Sequence, residues 1–248
     1  MKILSALLLT TTAALATPSG LNNIPTADTT PQGTFVLQAF STTGGDADTD
    51  FNIGFKTGVD ILKIVKFELG ADSHLLPDKG GPVVVNGKLA VPFGKGLPTF
   101  AIGAANIAFN EHQRQRAGDV FGYAVLSQDF GCFRAHAGCG YQDTDALPFF
   151  GLDKTFRSSK PRVVSDGKSV RLAGGHGAGS GDPNAALETR DLFTIRADAI
   201  ELPSHDWLYS AGVLIPVCKY FVFETWANLP GNGDSPSWTI KGNFVVSF

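Results

Sequence analysis

Residues 51–59 read FNIGFKTGV, in which the odd-numbered positions are apolar except for Thr57. The two phenylalanines, the isoleucine and the valine fall on one face of an extended chain. The asparagine, the lysine and the two glycines fall on the other face. Alternation with a period of two residues indicates a β-strand with one apolar and one polar face.

The same alternation recurs along most of the 248-residue chain. In residues 65–72, for example, Val, Phe, Leu and Ala alternate with Lys, Glu, Gly and Asp. Beyond the N-terminus, no window offers the roughly 18 apolar residues that a membrane helix requires. Twelve strands are predicted on this basis, at residues 34–41, 51–59, 65–72, 83–93, 99–109, 119–128, 133–142, 148–156, 192–200, 207–217, 220–228 and 237–248.

The predicted connections alternate between tight turns and longer polar loops. Residues 60–62, 93–97 and 128–130 are tight, whereas 42–48 and 110–118 are polar and longer. Transmembrane β-barrels have this alternation, with short turns at one end and long loops at the other. The fold class predicted is therefore an all-β, antiparallel transmembrane barrel of about 12 strands, within a range of 10 to 14.

Composition agrees with a barrel and argues against nucleic-acid binding. Charged residues make up only 17% of the chain, glycine (29) and phenylalanine (19) are frequent, and the formal net charge is −3. A basic footprint for nucleic acid is absent. A secreted soluble β-sandwich would also alternate, but glycines recur on the polar face, where a narrow barrel needs space and a solvated face does not.

The first sixteen residues have the pattern of a secretory signal peptide. Lys2 supplies the positive start, residues 3–9 the apolar run, and Ala14-Leu15-Ala16 a small-x-small cleavage motif. A cleaved signal peptide at 1–16 leaves a barrel domain at 17–248. Residues 17–32 are then expected to be a periplasmic lead-in to the first strand.

Residues 157–191 do not fit the strand pattern. They contain Asp166-Gly167 and a glycine-rich run from Gly174 to Gly181. The segment falls on the short-turn side of the barrel, where a 35-residue loop is unexpected. Either residues 162–172 form an extra hairpin around Asp166-Gly167, or this irregular Gly-rich insertion folds into the lumen.

The C-terminal strand resembles the assembly signal of Gram-negative outer-membrane barrels, including porin-like barrels. That signal has a final phenylalanine preceded by apolar or aromatic residues at alternate positions. The resemblance implies a bacterial outer-membrane location, a lipid-bilayer environment, and recognition of this strand by the barrel-assembly machinery. The matching residues are Trp238, Ile240, Phe244, Val246 and Phe248.

A second resemblance lies near the N-terminus. Residues 21–28, with Asn-Ile-Pro-Thr-Ala at 23–27, are followed by Gly-Thr-Phe at 33–35. This resembles the lead-in to the first strand of YjbH-like barrels. Those barrels are linked with exopolysaccharide export, which is the role that this resemblance implies.

The sequence gives no pattern for catalysis or for a cofactor. No histidine is followed two residues later by serine, and metal-ligand spacing is absent. Ser204-His205-Asp206 are consecutive, so on a strand they would point to opposite faces; a polar loop is expected there. We expect the protein not to be an enzyme, with no cofactor and no metal.

The functional prediction is a porin-like channel for small polar solutes, slightly biased towards anions. The alternatives are a non-conducting barrel that serves as an envelope component or in exopolysaccharide export, and a secreted soluble β-sandwich. The predicted pore-lining residues are those of the polar face: Asn52, Lys56, Lys66, Glu68, Asp72, Lys88, Arg134, His136, Arg196, Asp198, Glu224 and Lys241.

Overall fold

The computed structural model of the protein describes residues 19–45, 49–61, 64–75, 81–160, 163–165, 170–172 and 188–248. Nearly all of this chain belongs to one antiparallel sheet. The strands are β1 (Thr34–Gly44), β2 (Asp50–Ile61), β3 (Val65–His74), β4 (Val83–Pro92), β5 (Thr99–Ile107), β6 (Phe121–Asp129), β7 (Arg134–Gln142), β8 (Asp145–Lys160), β9 (Val163–Ser165), β10 (Val170–Leu172), β11 (Glu188–Glu201), β12 (Trp207–Cys218), β13 (Phe221–Pro230) and β14 (Ser237–Ser247).

Twelve of these strands close into a barrel in the order β1-β14-β13-β12-β11-β8-β7-β6-β5-β4-β3-β2. The barrel closes where β1 pairs with β14, from Thr34 opposite Ser247 to Gly44 opposite Ser237. The backbone N–H of Phe248 then donates to the carbonyl of Gly33 at 2.9 Å. The predicted antiparallel barrel of about 12 strands is confirmed, and the soluble β-sandwich is wrong because one sheet closes on itself.

The irregular segment contains a separate hairpin. β9 and β10 pair with each other in a two-stranded sheet that is not part of the barrel. The extra hairpin therefore adds no barrel strand, and Asp166-Gly167 lie outside the described residues. β8 and β11 also run further than predicted, to Lys160 and from Glu188, so the insertion between barrel strands is shorter than 157–191.

The two faces of the barrel are sharply different. Outward side chains such as Phe55, Leu69 and Ile240 are large, apolar and exposed, whereas Glu68 and Asp72, inward neighbours of Leu69 on β3, are buried. A soluble protein rarely exposes so continuous an apolar surface. An apolar outside with a polar inside is the arrangement of a barrel surrounded by lipid.

Outward aromatic side chains gather towards the two ends of the barrel. We call these the loop end, with the connections 108–120 and 231–236, and the turn end, which also holds both barrel termini. Aromatic belts at two levels are typical of barrels that cross a bilayer. The loop-end aromatics are Phe51, Tyr141, Trp207, Tyr209 and Trp238, and the turn-end aromatics are Phe93, Phe130, Phe133, Tyr220 and Phe244.

One loop contains a short helix that the sequence analysis missed. Residues 110–118 were predicted as a polar loop, but α1 (Glu111–Ala117) forms there. The Asn110 side chain accepts a hydrogen bond from the Gln113 N–H at 2.8 Å, and Gly118 closes the helix with a φ of 81°. Across the described residues, no helix is long and apolar enough to cross a membrane.

The apolar face can be tested with a charge. Leu69 is 41% exposed on the outer face of β3. If this face meets hydrocarbon, Leu69→Arg should lower the free energy of unfolding by about 2–4 kcal/mol, measured by urea titration of protein folded into liposomes. Lys66→Glu is the control, since Lys66 is exposed at the end of the same strand; its effect should stay within about 0.5 kcal/mol. Equal costs at the two positions would contradict the assignment of the faces.

Candidate functional site: the barrel lumen

The predicted polar face forms the inner wall of the barrel. Most of its side chains are buried there, while Lys56 and Arg134 are half-buried. Lys66 occupies an inward-facing position in the alternation of β3, but it lies exposed at the turn end and does not contribute to the interior. The buried side chains of the predicted set are Asn52, Glu68, Asp72, Lys88, His136, Arg196, Asp198, Glu224 and Lys241.

The lumen is partly filled by the chain itself. Residues 19–30, which we call the plug, contact inward side chains of β3, β4, β6, β7, β11, β12 and β13. Only a segment inside the barrel can reach strands on all of these sides. The periplasmic lead-in predicted for residues 17–32 is therefore corrected for this part, and residues 17 and 18 lie outside the described chain. A barrel of this width leaves space that inward side chains alone do not fill.

Glu68 is the first anchor of the plug, and its side chain is fully buried. Its carboxylate accepts hydrogen bonds from the Ser19 N–H (2.7 Å) and hydroxyl (2.5 Å), and from the Thr30 N–H (2.6 Å) and hydroxyl (2.8 Å). Lys88 Nζ lies 3.6 Å from the same carboxylate and donates to the carbonyls of Ser19 and Thr26. Both ends of the plug are thus tied to one buried ion pair.

Asp198 on β11 is the second anchor. Its carboxylate accepts from the backbone N–H groups of Asn22 (2.9 Å) and Asn23 (3.3 Å) and from the Ser210 hydroxyl (2.6 Å). The Asn22 amide donates to Ser210, and the Asn23 amide donates to Asn228, at 2.9 and 2.8 Å. These contacts fix the plug against β11, β12 and β13.

The third anchor is a hydrogen-bonded chain on β6, β7 and β8. The Ala27 N–H donates to Ser127 Oγ at 2.8 Å, Ser127 Oγ lies 2.7 Å from His136 Nδ1, and His136 Nε2 lies 2.9 Å from Asp153. Since Ser127 Oγ already accepts from Ala27, its hydrogen is free to be donated to His136. Next to this chain, Arg134 forms an ion pair with Asp28. Its Nη2 donates to both carboxylate oxygens, at 2.7 and 2.8 Å.

A serine–histidine–aspartate chain is also the arrangement of many hydrolases. In this lumen, however, the His136 side chain is completely buried and the serine hydroxyl is covered by the plug backbone. None of the three residues borders the cavity that lies between the plug and the strands β1, β2 and β11 to β14. The geometry therefore serves to hold the plug in place.

The plug has an apolar side as well. Leu21, Ile24 and Ala27 are buried in one cluster with inward side chains of β4, β5, β6, β8 and β11. Burial of apolar surface stabilises this contact by roughly 25 cal/mol per Å². The wall residues of the cluster are Ala90, Ala101, Phe121, Tyr123, Val125, Leu147, Phe149 and Ile200.

Three inward glycines make room for the chain. A Cβ at Gly58 would overlap the Thr30 carbonyl, where the chain enters the barrel from the turn end. A Cβ at Gly151 would overlap the Leu21 and Ile24 side chains, and one at Gly212 would crowd Asn22. The glycines of the polar face therefore relieve crowding, as predicted, but partly against the plug.

One region of the wall is not covered by the plug. A cavity of about 260 Å³ lies between the plug and the strands β1, β2 and β11 to β14. Charged and amide side chains line it, and among them Arg196 Nη1 lies 2.6 Å from Glu224, which also accepts from the Asn243 amide at 2.7 Å. Lining residues such as Val36, which faces Val245 across the seam, place the cavity towards the turn end. Its polar lining residues are Ser19, Thr26, Asp28, Lys56, Arg196, Glu224, Lys241 and Asn243.

The prediction of lumen residues was incomplete because it favoured charged side chains. Several uncharged polar residues and one aspartate share the inner parity and are buried. Their alternation with apolar residues was visible, and it is the signal that could have found them. They are Gln38, Asn86, Ser127, Asp153, Ser210, Asn228, Thr239 and Asn243.

The consecutive Ser204, His205 and Asp206 lie outside the lumen. Ser204, His205 and Asp206 occupy the loop between β11 and β12, as predicted. There, the exposed His205 donates a hydrogen bond from Nδ1 to the Glu201 carboxylate at 3.0 Å, and this bond raises the pKa of His205. The described residues contain no group of three or more His, Cys, Asp or Glu side chains that could hold a metal ion.

The barrel is similar in fold to several solved structures. A KdgM porin in complex with disordered oligogalacturonate matches with a TM-score of 0.50 and 6% identity, over 86% of this chain and 99% of that chain. A NanC porin (TM-score 0.46, 9% identity, 85% and 98% covered) and LpxR from Salmonella typhimurium (0.43, 8%, 87% and 100%) also match. At such identities the likeness shows the fold alone. No family model and no curated protein matches the sequence.

The anchoring of the plug can be tested at Glu68. Glu68→Ala removes the acceptor of four hydrogen bonds and leaves Lys88 buried without its carboxylate, a change that costs about 3–5 kcal/mol of stability. We expect amide hydrogen exchange in residues 19–30 to accelerate at least about a hundredfold, measured by mass spectrometry on the folded barrel.

Asp60→Ala is the matched control, because Asp60 is exposed at the turn end of β2. It should leave exchange in residues 19–30 unchanged. Unchanged exchange in Glu68→Ala would show that this carboxylate does not hold the plug.

Proposed function

We propose that the protein is a porin-like channel of the bacterial outer membrane that passes small polar solutes. The observation that carries this proposal is the cavity in a closed barrel, bordered by charged side chains and left open by the plug. The apolar outer face suits a lipid bilayer. The porin fold of the KdgM structure supports the same function.

The plug gives this channel a narrow path. It covers the wall from β3 to β8 through hydrogen bonds and the apolar cluster, and nearer the loop end it also contacts β11 to β13 through Asp198, Ser210 and Asn228. Solutes would therefore pass along the part of the wall that the plug leaves uncovered, where Lys56, Arg196, Glu224 and Lys241 line the cavity. A path of this kind admits small hydrated solutes rather than polymers, and we propose it as passive transport without catalysis.

We also propose how the protein reaches the membrane. A cleaved signal peptide at residues 1–16 would direct export, and the barrel-assembly machinery would read the C-terminal strand. In support, Trp238, Ile240, Phe244 and Val246 are all exposed on the outer face of β14, and Phe248 is 96% exposed. An outward, apolar last strand is accessible to such a partner before the seam with β1 forms.

The second candidate is a non-conducting barrel that serves as an envelope component, including one in exopolysaccharide export. The plug is the observation that favours it, because three anchors and an apolar cluster hold residues 19–30 in the lumen. The two candidates differ in one property, the passage of ions.

Single-channel recording in planar bilayers separates them. We expect the folded protein to give small, stable current steps. Val222→Trp should lower the conductance at least about twofold, since Val222 borders the cavity and a larger ring would fill it. Val217→Trp is the control, because Val217 is exposed on the outside at the same end, and its conductance should equal that of the native protein.

Folding of each variant is checked by heat-modifiable gel mobility. If the folded native protein carries no current, the channel proposal is contradicted and the non-conducting envelope component is the remaining candidate. Current steps that are equal in both tryptophan variants would contradict the path through this cavity.

A further inference from the structure

Two lysines that line the cavity have no hydrogen-bond acceptor in the part of the chain that the structure describes. Lys241 is 5% exposed and Lys56 is half-buried, and both line the cavity. Among the described residues, no hydrogen bond and no carboxylate within 4.0 Å reaches either ammonium group. The Lys241 ammonium lies 5.8 Å from the centre of the Phe40 ring, a weak contact for a cation.

The carboxylates that border the cavity already have partners. Glu224 is held by Arg196 at 2.6 Å and by Asn243 at 2.7 Å. Asp28 is held by Arg134, whose Nη2 donates to both of its carboxylate oxygens. Asp72 and Glu224 attract Lys241 only from beyond ion-pair distance, and Asp72 accepts hydrogen bonds from Gln38 and Asn86.

A buried ammonium group without an acceptor is costly, and a charged oxygen that enters the cavity removes that cost. We infer that the cavity is a binding site for a small oxyanion, held by Lys241 and Lys56 with Arg196 beside them. The cavity is bordered by three cationic side chains and two carboxylates, so its lining has a net positive charge that favours an anion. The cations are Lys56, Arg196 and Lys241, and the carboxylates are Asp28 and Glu224.

The volume limits the ligand to small molecules. About 260 Å³ lies just below the range of roughly 300–1,000 Å³ that holds drug-sized ligands. A small organic acid or a compact phosphate fits. Carboxylate and phosphate offer the same chemistry, a charged oxygen for each ammonium. The inference rests on the proposed channel, whose solute class it names.

Binding is measured by isothermal titration of the folded, full-length protein in detergent micelles. The probes are inorganic phosphate and acetate, with uncharged glycerol as the reference. We expect saturable binding of at least one anion and none of glycerol. Lys241→Gln should weaken that binding about tenfold or more, and Lys56→Gln should weaken it several-fold. Lys66→Gln is the matched control, since Lys66 is exposed outside the cavity, and should bind as the native protein does.

The outcomes separate this inference from the channel proposal. Anion binding that is lost in Lys241→Gln supports the binding site even if the barrel carries no current. A preference for phosphate or for acetate identifies the class of oxyanion that the site binds. Lys56→Gln supplies the answer if Lys241→Gln does not fold. Absence of saturable binding, or binding that neither lysine variant weakens, would overturn the site even if single-channel steps are seen.

Discussion

The pairing of β1 with β14 is the constraint on which the rest of the structure depends. Backbone N–H and C=O groups have no partners in hydrocarbon, so a sheet can be surrounded by lipid only if it has no free edge. The seam from Thr34 to Gly44 supplies the missing partners along the full length of both strands. Once the sheet is closed, the alternation of side chains sorts them into an apolar outside and a polar inside.

Closure creates a lumen whose polar groups must in turn be satisfied. The plug does this with its own backbone: N–H groups of Ser19, Asn22, Ala27 and Thr30 all donate to inward side chains. A carboxylate such as Glu68 could not stay buried and charged at low cost without those donors. The plug and the charged wall therefore depend on one another, and the cavity marks the part of the wall that the plug leaves uncovered.

The alternation in residues 51–59, repeated along the chain between short and long connections, was enough to predict the strands, their faces and the barrel, because a period of two is a local property of the chain. The plug was not predictable in this way. Leu21, Ile24 and Ala27 lack the alternation of a strand, and the residues that hold the plug, among them Asp198 and Phe149, lie far along the sequence. The same limit hid the pairing of His136 with Ser127 and Asp153, whose side chains meet only when β6, β7 and β8 pair.

Thiol labelling tests most directly whether the plug is enclosed. The native cysteines, Cys132, Cys139 and Cys218, are all free and exposed. Ala27→Cys in a background with these three changed to serine is compared with a protein that keeps only Cys132, both folded. We predict that a polar maleimide labels position 27 at least about a hundredfold more slowly than Cys132, and equally fast after unfolding. Equal rates in the folded state would contradict a plug inside the barrel.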